Sequence, residues 1–284
     1  MRVALTGASG LVGRFLLAGL TARGHEMVAL GRTPLAGCEH RPWALGRAAP
    51  LSGCEALVHA GFAHVPGRYR GGEGDDPEGF IAANRDGSLR LFEEARRAGL
   101  SRAVFLSSRA VYGDYPPGTV LTEDLAPRPD TLYGEMKWAV EQRLSALSGP
   151  GFATASLRAT GIYGPPAPGQ AHKWQGLFDA FAAGERVAPR VGTELHGEDL
   201  AAAVVLLLEG PEAALARRSF NASDITLDRR DLLARVARIT GQGGALPGRA
   251  DAARVSAMRC DRLRALGWRP RGEEGLDPAL REML

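Results

Sequence analysis

A doubly wound α/β fold, a parallel sheet covered by helices on both faces, is predicted by three observations. A β-type run at Arg2 to Thr6 passes through glycines into apolar positions at helical spacing. Strand-like runs then alternate with amphipathic segments through much of the chain. The 284 residues, 45% of them hydrophobic, are enough to fill one large core or two modest ones.

The elements follow in order. After the strand Arg2 to Thr6 and a tight turn, Leu11 to Leu20 reads as a helix ending near Gly24. Glu26 to Leu30 and Ala56 to Ala60 are strands, the second reached through a Pro/Gly-rich connector that predicts no helix. Phe80 to Ala98 is a long amphipathic helix stopped by Gly99, and Arg102 to Ser107 a buried strand. Beyond a Pro-rich loop come a helix from Leu132 to Leu147 and a strand from Phe152 to Arg158. Pro66 to Gly79, rich in glycine and charge, reads as a solvated excursion or a lid. In such a sheet ligands bind beyond the C-terminal strand ends.

Composition removes several function classes. Charged residues at 24% with a mean hydropathy of −0.13 describe a soluble globule. The longest strongly apolar stretch, Leu200 to Leu208, is under half a bilayer span, so no membrane is expected. MRVALTG leads straight into glycines with no export segment, which makes the cytoplasm the expected location. The net charge of +3 is spread among 32 acidic residues without a basic run, arguing against nucleic acid. Cys38, Cys54 and Cys260 have no metal-ligand spacing and read as packing residues, so no metal is expected. Of 35 basic residues only Lys137 and Lys173 are lysines, which marks places where a compact ammonium is wanted.

Thr6-Gly7-Ala8-Ser9-Gly10-Leu11-Val12-Gly13 lies between the first strand and the first helix, where a dinucleotide pyrophosphate meets backbone N–H groups and the positive helix end. Gly7 permits the turn, Gly10 the approach of phosphate, and Gly13 close packing of helix on strand. An NAD enzyme would place an acid after the second strand, against the ribose 2′-hydroxyl; here Arg32 stands there and suits a 2′-phosphate, so NADP is expected ahead of NAD.

Tyr133 and Lys137, at i and i+4, share one face of a helix. A phenol is a weak base near neutrality, and a fixed positive charge beside it favours the phenolate. The same ammonium could hold ribose hydroxyls. Ser108 ends the strand from Arg102 and could bond a substrate oxygen; Ser107 could meet the cofactor or cap the strand end.

Taken together these pieces resemble the extended short-chain dehydrogenase/reductase family, the NAD(P)-dependent epimerase/dehydratase group, over nearly the whole chain. TGASGLVG is similar to its phosphate turn and LVHAG to its third-strand motif. Phe80 to Ala95, with Asn84 and Gly87, resembles FxxNxxGxxxLxEA. FLSSRAVYG, LYGEMKWAVE, LRATGIYGP, LHGEDLA, FNASD and LGWRP follow in the family's order. The resemblance implies a Rossmann cofactor domain (residues 1–163 and 191–224) and a smaller substrate-binding domain (164–190 and 225–284). It also implies Ser108, Tyr133 and Lys137 as the catalytic set, with Ala60 and Asn84 near the cofactor and the segment Arg158 to Pro165 closing the nicotinamide side. A homodimer through the helices Phe80 to Ala98 and Leu132 to Leu147 is a further implication.

Departures narrow the chemistry. Where sugar-nucleotide dehydratases of the family carry an acid pair, this chain has Arg109-Ala110, which disfavours elimination. Two positions that epimerases use toward a nucleotide diphosphate are Gly161 and Gly192, with Arg190 displaced by two. Arg109 and Tyr163 could face substrate. His196 and Asp199 are expected to orient the chain at a helix start, Asp199 as its cap. Trp174, Phe178 and Phe181 read as core or a pocket wall of the smaller domain. The expected activity is NAD(P)-dependent hydride transfer at a hydroxyl/ketone carbon of a sugar-like or small polar substrate. A nucleotide-sugar epimerase and a non-catalytic NADP-binding regulator are the alternatives.

Overall fold

The structure, a computed structural model, describes residues 1–65, 72–167 and 169–284. Its first half alternates strand and helix: β1 (Arg2–Thr6), α1 (Gly13–Ala22), β2 (Glu26–Gly31), β3 (Glu39–Pro42), β4 (Ala56–His59), α2 (Pro77–Ile81), α3 (Gly87–Arg97), β5 (Arg102–Ser108), α4 (Leu132–Leu147) and β6 (Ala153–Ala159). Then follow β7 (Gly161–Tyr163), α5 (Gln175–Ala182), β8 (Val191–His196), α6 (Gly197–Glu209), β9 (Ser219–Ala222), β10 (Ile225–Asp228), α7 (Arg229–Thr240), α8 (Asp261–Ala265) and α9 (Leu276–Met283).

Seven parallel strands form the main sheet in the order β3-β2-β1-β4-β5-β6-β9, the doubly wound arrangement expected. Alternation along each strand sends side chains to two separate cores. Val3 and Leu5 face α1 and α6 with Leu16, Leu200 and Val204, while Ala4, Leu57 and Phe105 face α3 and α4 with Phe92 and Val140. Cys260 and Cys54 pack one into each core, as packing residues should. A second sheet, β10-β8-β7, covers a third core built on Trp174, Phe178, Phe181 and Leu233. The expected domain boundaries at 163/164, 190/191 and 224/225 all run through this small sheet, and Trp268 from the C-terminal region packs into the main core.

Several expectations need correcting. The helix expected over Phe80 to Ala98 is α2, a π-helical turn at Ala82–Asp86, and α3. Asn84 Nδ2 donates to the Phe80 carbonyl at 3.0 Å and the Ser88 hydroxyl donates to the Asn84 carbonyl, so side chains supply partners inside the widened turn. Gly87 is required where this helix crosses the loop at Gly46, since a Cβ there would lie 2.8 Å from the Gly46 nitrogen. Within the connector, Glu39–Pro42 forms an edge strand whose polar sequence hides it. Pro66 to Arg70 and Gly71 lie outside the described residues, and the rest of that segment turns into α2 at Pro77, capped by Asp76. The cap of α6 is His196, whose Nδ1 accepts from the Glu198 N–H at 3.2 Å, while Asp199 instead accepts from Arg271 Nε at 3.1 Å.

Candidate active site

Register brings the important strand ends to one edge. Thr6 stands opposite both Leu30 and His59, His59 opposite Phe105, and Ser108 opposite Ala159. The turn after β1 rises over this edge. Gly7 has φ +72°, and a Cβ on it would sit 2.7 Å from the Ala60 carbonyl oxygen, so it is fixed against the loop after β4. A Cβ on Gly13 would fall 2.0 Å from the Gly7 carbonyl oxygen, which makes glycine mandatory at the first residue of α1. Ser9 and Gly10 form an exposed lip, with Leu11 and Val12 half-buried behind it.

A dinucleotide fits this cradle. The α1 N-terminus supplies N–H groups and positive potential, and Arg14, one residue past Gly13, has Nε and Nη2 buried without a partner among the described residues. Its guanidinium lies 4.0 Å over the Phe15 ring, and desolvation holds its pKa below the usual arginine value. The sequence reading missed Arg14; a charged residue at the second position of a helix was the available signal. Arg32 is exposed just past β2, at the same edge.

The chemistry-bearing residues converge on the end of β5. Ser108 caps a short 3-10 turn, its Oγ accepting from the Ala110 N–H at 3.2 Å. Thr131 caps α4 by accepting from the Gly134 N–H at 3.1 Å, and so delivers Tyr133 in the first turn. Lys137 follows one turn later and is 7% exposed. Its Nζ donates to the Leu106 carbonyl at 2.8 Å and lies 4.6, 5.0 and 5.8 Å from the ring centroids of Phe105, Phe62 and Tyr133. Burial lowers its pKa to about 7, opposed by the charge of Glu141.

Beneath this group runs a buried polar network that sequence reasoning missed. Glu141, a turn beyond Lys137, receives Arg158 Nη2 at 2.7 Å and Nε at 3.1 Å. Arg158 Nη1 donates to the Tyr112 hydroxyl at 3.0 Å, which donates in turn to Asn221 Oδ1 at 2.7 Å. The buried Ser107 hydroxyl, expected to meet the cofactor or cap the strand end, donates to Glu141 and so belongs to this network. Tyr163, expected as a substrate contact, is buried with its ring stacked on Trp174 at 5.1 Å, and its hydroxyl has no partner among the described residues. The Arg109 guanidinium is tethered to the Ser256 carbonyl at 2.9 Å. Asn84 is buried and bonds both polar groups of the Ala63 backbone, which places it under the loop carrying Ala60. Among the described residues no group of three His, Cys, Asp or Glu could hold a metal, and no helix is long and apolar enough to cross a membrane.

The parallel sheet, glycine turn and Ser108, Tyr133 and Lys137 set define a protein of the extended short-chain dehydrogenase/reductase type. The chain belongs to the NAD dependent epimerase/dehydratase family, which it matches over residues 3–223. It is 33% identical over 180 residues to a 4-hydroxy-2-methyl-3-oxo-4-farnesyl-3,4-dihydroquinoline-1-oxide ketoreductase of Stigmatella aurantiaca, covering 58% of this chain and 51% of that protein. The chain spans about half the length of the first curated relatives it matches. Among solved structures, MoeE5 in complex with UDP-glucuronic acid and NAD has a TM-score of 0.79 at 26% identity, with 100% of each chain covered. A UDP-glucose 4-epimerase of Thermus thermophilus, complexed with NAD, has a TM-score of 0.78 at 25% identity, covering 100% of this chain and 99% of that one.

Proposed function

We propose that this chain is an NAD(P)-dependent oxidoreductase acting at a hydroxyl/ketone carbon of a sugar-like or other small polar substrate. The observation that carries the reading is Lys137, buried beside the Tyr133 ring at the strand edge where Ser108 ends. Ser108 holds the reacting oxygen, and Tyr133 gives it a proton in reduction or takes one in oxidation. Lys137, kept beside the phenol by the Leu106 carbonyl, stabilises the phenolate. The nicotinamide dinucleotide supplies the hydride exchange. Gly7 to Gly13 and Arg14 would hold its pyrophosphate, the Ala60 loop and Asn84 its flank, and Arg32 a 2′-phosphate, which favours NADP.

Net oxidoreduction is preferred to epimerisation because glycines, Gly161 and Gly192, stand at the two positions that epimerases use toward a nucleotide diphosphate. Three free cysteines fit a reducing cytoplasm, and a homodimer through α3 and α4 completes the reading. The test is NADPH and NADH consumption with a panel of ketones, sugars, sugar acids and nucleotide sugars. Turnover lost at least a thousandfold in Tyr133→Phe supports the proposal; product isomers without net cofactor change would replace it with epimerisation.

A further inference from the structure

We infer that His59 is a positioning residue: it closes a ring of hydrogen bonds that holds the Gly61–Ala63 loop beside the cofactor cradle and, through Phe62, orients Tyr133. The inference rests on the cofactor reading above and concerns a side chain that the proposed chemistry does not use.

His59 is wholly buried at the end of β4, stacked on Phe105 at 5.7 Å and met edge-on by Phe92 at 5.5 Å, so its ring plane is fixed. Its two nitrogens reach different elements. Nε2 is 2.8 Å from the Ser88 hydroxyl and Nδ1 is 2.6 Å from the Thr6 hydroxyl. The single Ser88 proton goes to the Asn84 carbonyl, so toward His59 this oxygen accepts and Nε2 carries the ring proton. Nδ1 of the neutral ring then accepts from Thr6, whose oxygen in turn accepts the Gly61 N–H at 2.9 Å. Burial and the nearby Lys137 charge hold the imidazole pKa at about 3, which keeps this tautomer neutral.

On the other side the Asn84 side chain grips Ala63 twice, accepting from its N–H and donating to its carbonyl, both at 2.7 Å. Thr6 thus holds one end of a three-residue loop, Asn84 holds the other, and His59 with Ser88 ties the two holders together. Phe62 is the residue between the anchors. Its ring meets Tyr133 edge-on at 5.2 Å and lies 5.0 Å from Lys137 Nζ. Thr6 also opens the glycine turn, and Gly7 rests on Ala60, so the same ring sets the gap between the two loops that flank the cradle. A neutral side chain with a donor and an acceptor pointing to opposite sides is what this place requires, and histidine meets that requirement.

The test uses the full chain, with NADH and NADPH as fluorescent probes. His59→Phe keeps an aromatic ring between Phe92 and Phe105 and removes both hydrogen bonds; Ser88→Ala cuts one link; Leu233→Ala, in the distant third core, controls for lost stability. The expected result is a dissociation constant raised tenfold or more in His59→Phe and severalfold in Ser88→Ala, with Leu233→Ala unchanged at a comparable melting temperature. The NMR cross-peak between the Phe62 and Tyr133 rings should weaken in the first two, and nitrogen shifts of the wild type should show the proton on Nε2. Wild-type affinity in a folded His59→Phe, or a proton on Nδ1, overturns the inference. Should His59→Phe fail to fold, Ser88→Ala and the tautomer decide. A wild type that binds neither dinucleotide refutes the cofactor reading, and the tautomer and ring contact then decide the hydrogen-bonded ring alone.

Discussion

The Arg158 guanidinium and the Glu141 carboxylate meet at 2.7 Å in the protein interior, at 2% and 4% exposure, joining β6 to the helix that carries Tyr133 and Lys137. Both charges have lost water, and each depends on the other for compensation. Glu141→Ala leaves the guanidinium buried and unpaired, and is expected to cost about 3–5 kcal/mol of unfolding free energy. Glu141→Ala combined with Arg158→Met should cost well under the sum of the two single changes. Urea denaturation of the four proteins checks this, and additive losses would show that the pair does not act as a unit.

Lys137 is predicted to make stability depend on pH in a defined window. Its folded pKa of about 7 lies below the usual lysine value, so between about 7 and 10.5 the unfolded chain binds more protons. The cost of burying the ammonium is therefore fully present below pH 7 and fades as pH rises through the window. In cofactor-free protein, Lys137→Met should be favoured most at pH 6, with the difference from wild type shrinking by ~2–4 kcal/mol toward pH 10, at 1.36 kcal/mol per unit. A constant difference across that range refutes the assignment.

Helices and strands with strong period or caps were legible without coordinates: α4 runs from Leu132 to Leu147 as its spacing predicts, and β1, β2 and β5 fall within a residue of expectation. The glycine turn before α1 and the shared face of Tyr133 and Lys137 on α4 were legible because each has a short, local pattern. Glu141, Arg158, Tyr112 and His59 were not, since their partners lie 17 to 109 residues away and only the sheet brings them together. The π turn at Asn84 was hidden because its apolar spacing still looks helical. The burial of Tyr163 against Trp174 was not legible, because a place in the motif beside the cofactor segment carries no information on which way the ring points.

Arg32 is predicted to select the cofactor. It is exposed beyond β2, clear of the core, so its removal should leave the fold intact. A charge-assisted bond to a 2′-phosphate is worth about 1.5–3 kcal/mol, or roughly 10- to 100-fold in affinity. Arg32→Ala should lose that much toward NADPH while its NADH affinity stays within about twofold. Equal losses for both dinucleotides would remove Arg32 from the selection.

Gly10 and Gly13 separate folding from binding inside one turn. A Cβ on Gly13 would meet the Gly7 carbonyl oxygen at 2.0 Å, a backbone atom that cannot swing away, so Gly13→Ala must shift α1 against β1. It should destabilise the cofactor-free protein by about 2 kcal/mol or more, through strain of the kind that overpacking creates. On Gly10 the nearest atom is the same oxygen at 3.3 Å, close enough to need only a slight adjustment, and the residue stands on the exposed lip. Gly10→Ala should therefore melt within a few degrees of wild type, yet lose affinity for dinucleotide because the methyl group occupies the line of approach of phosphate. Melting curves with and without NADPH distinguish the two, since bound ligand raises the melting temperature only where the cradle still accepts it. A Gly10→Ala protein stabilised by NADPH as fully as the wild type would mean that the pyrophosphate does not lie across this lip.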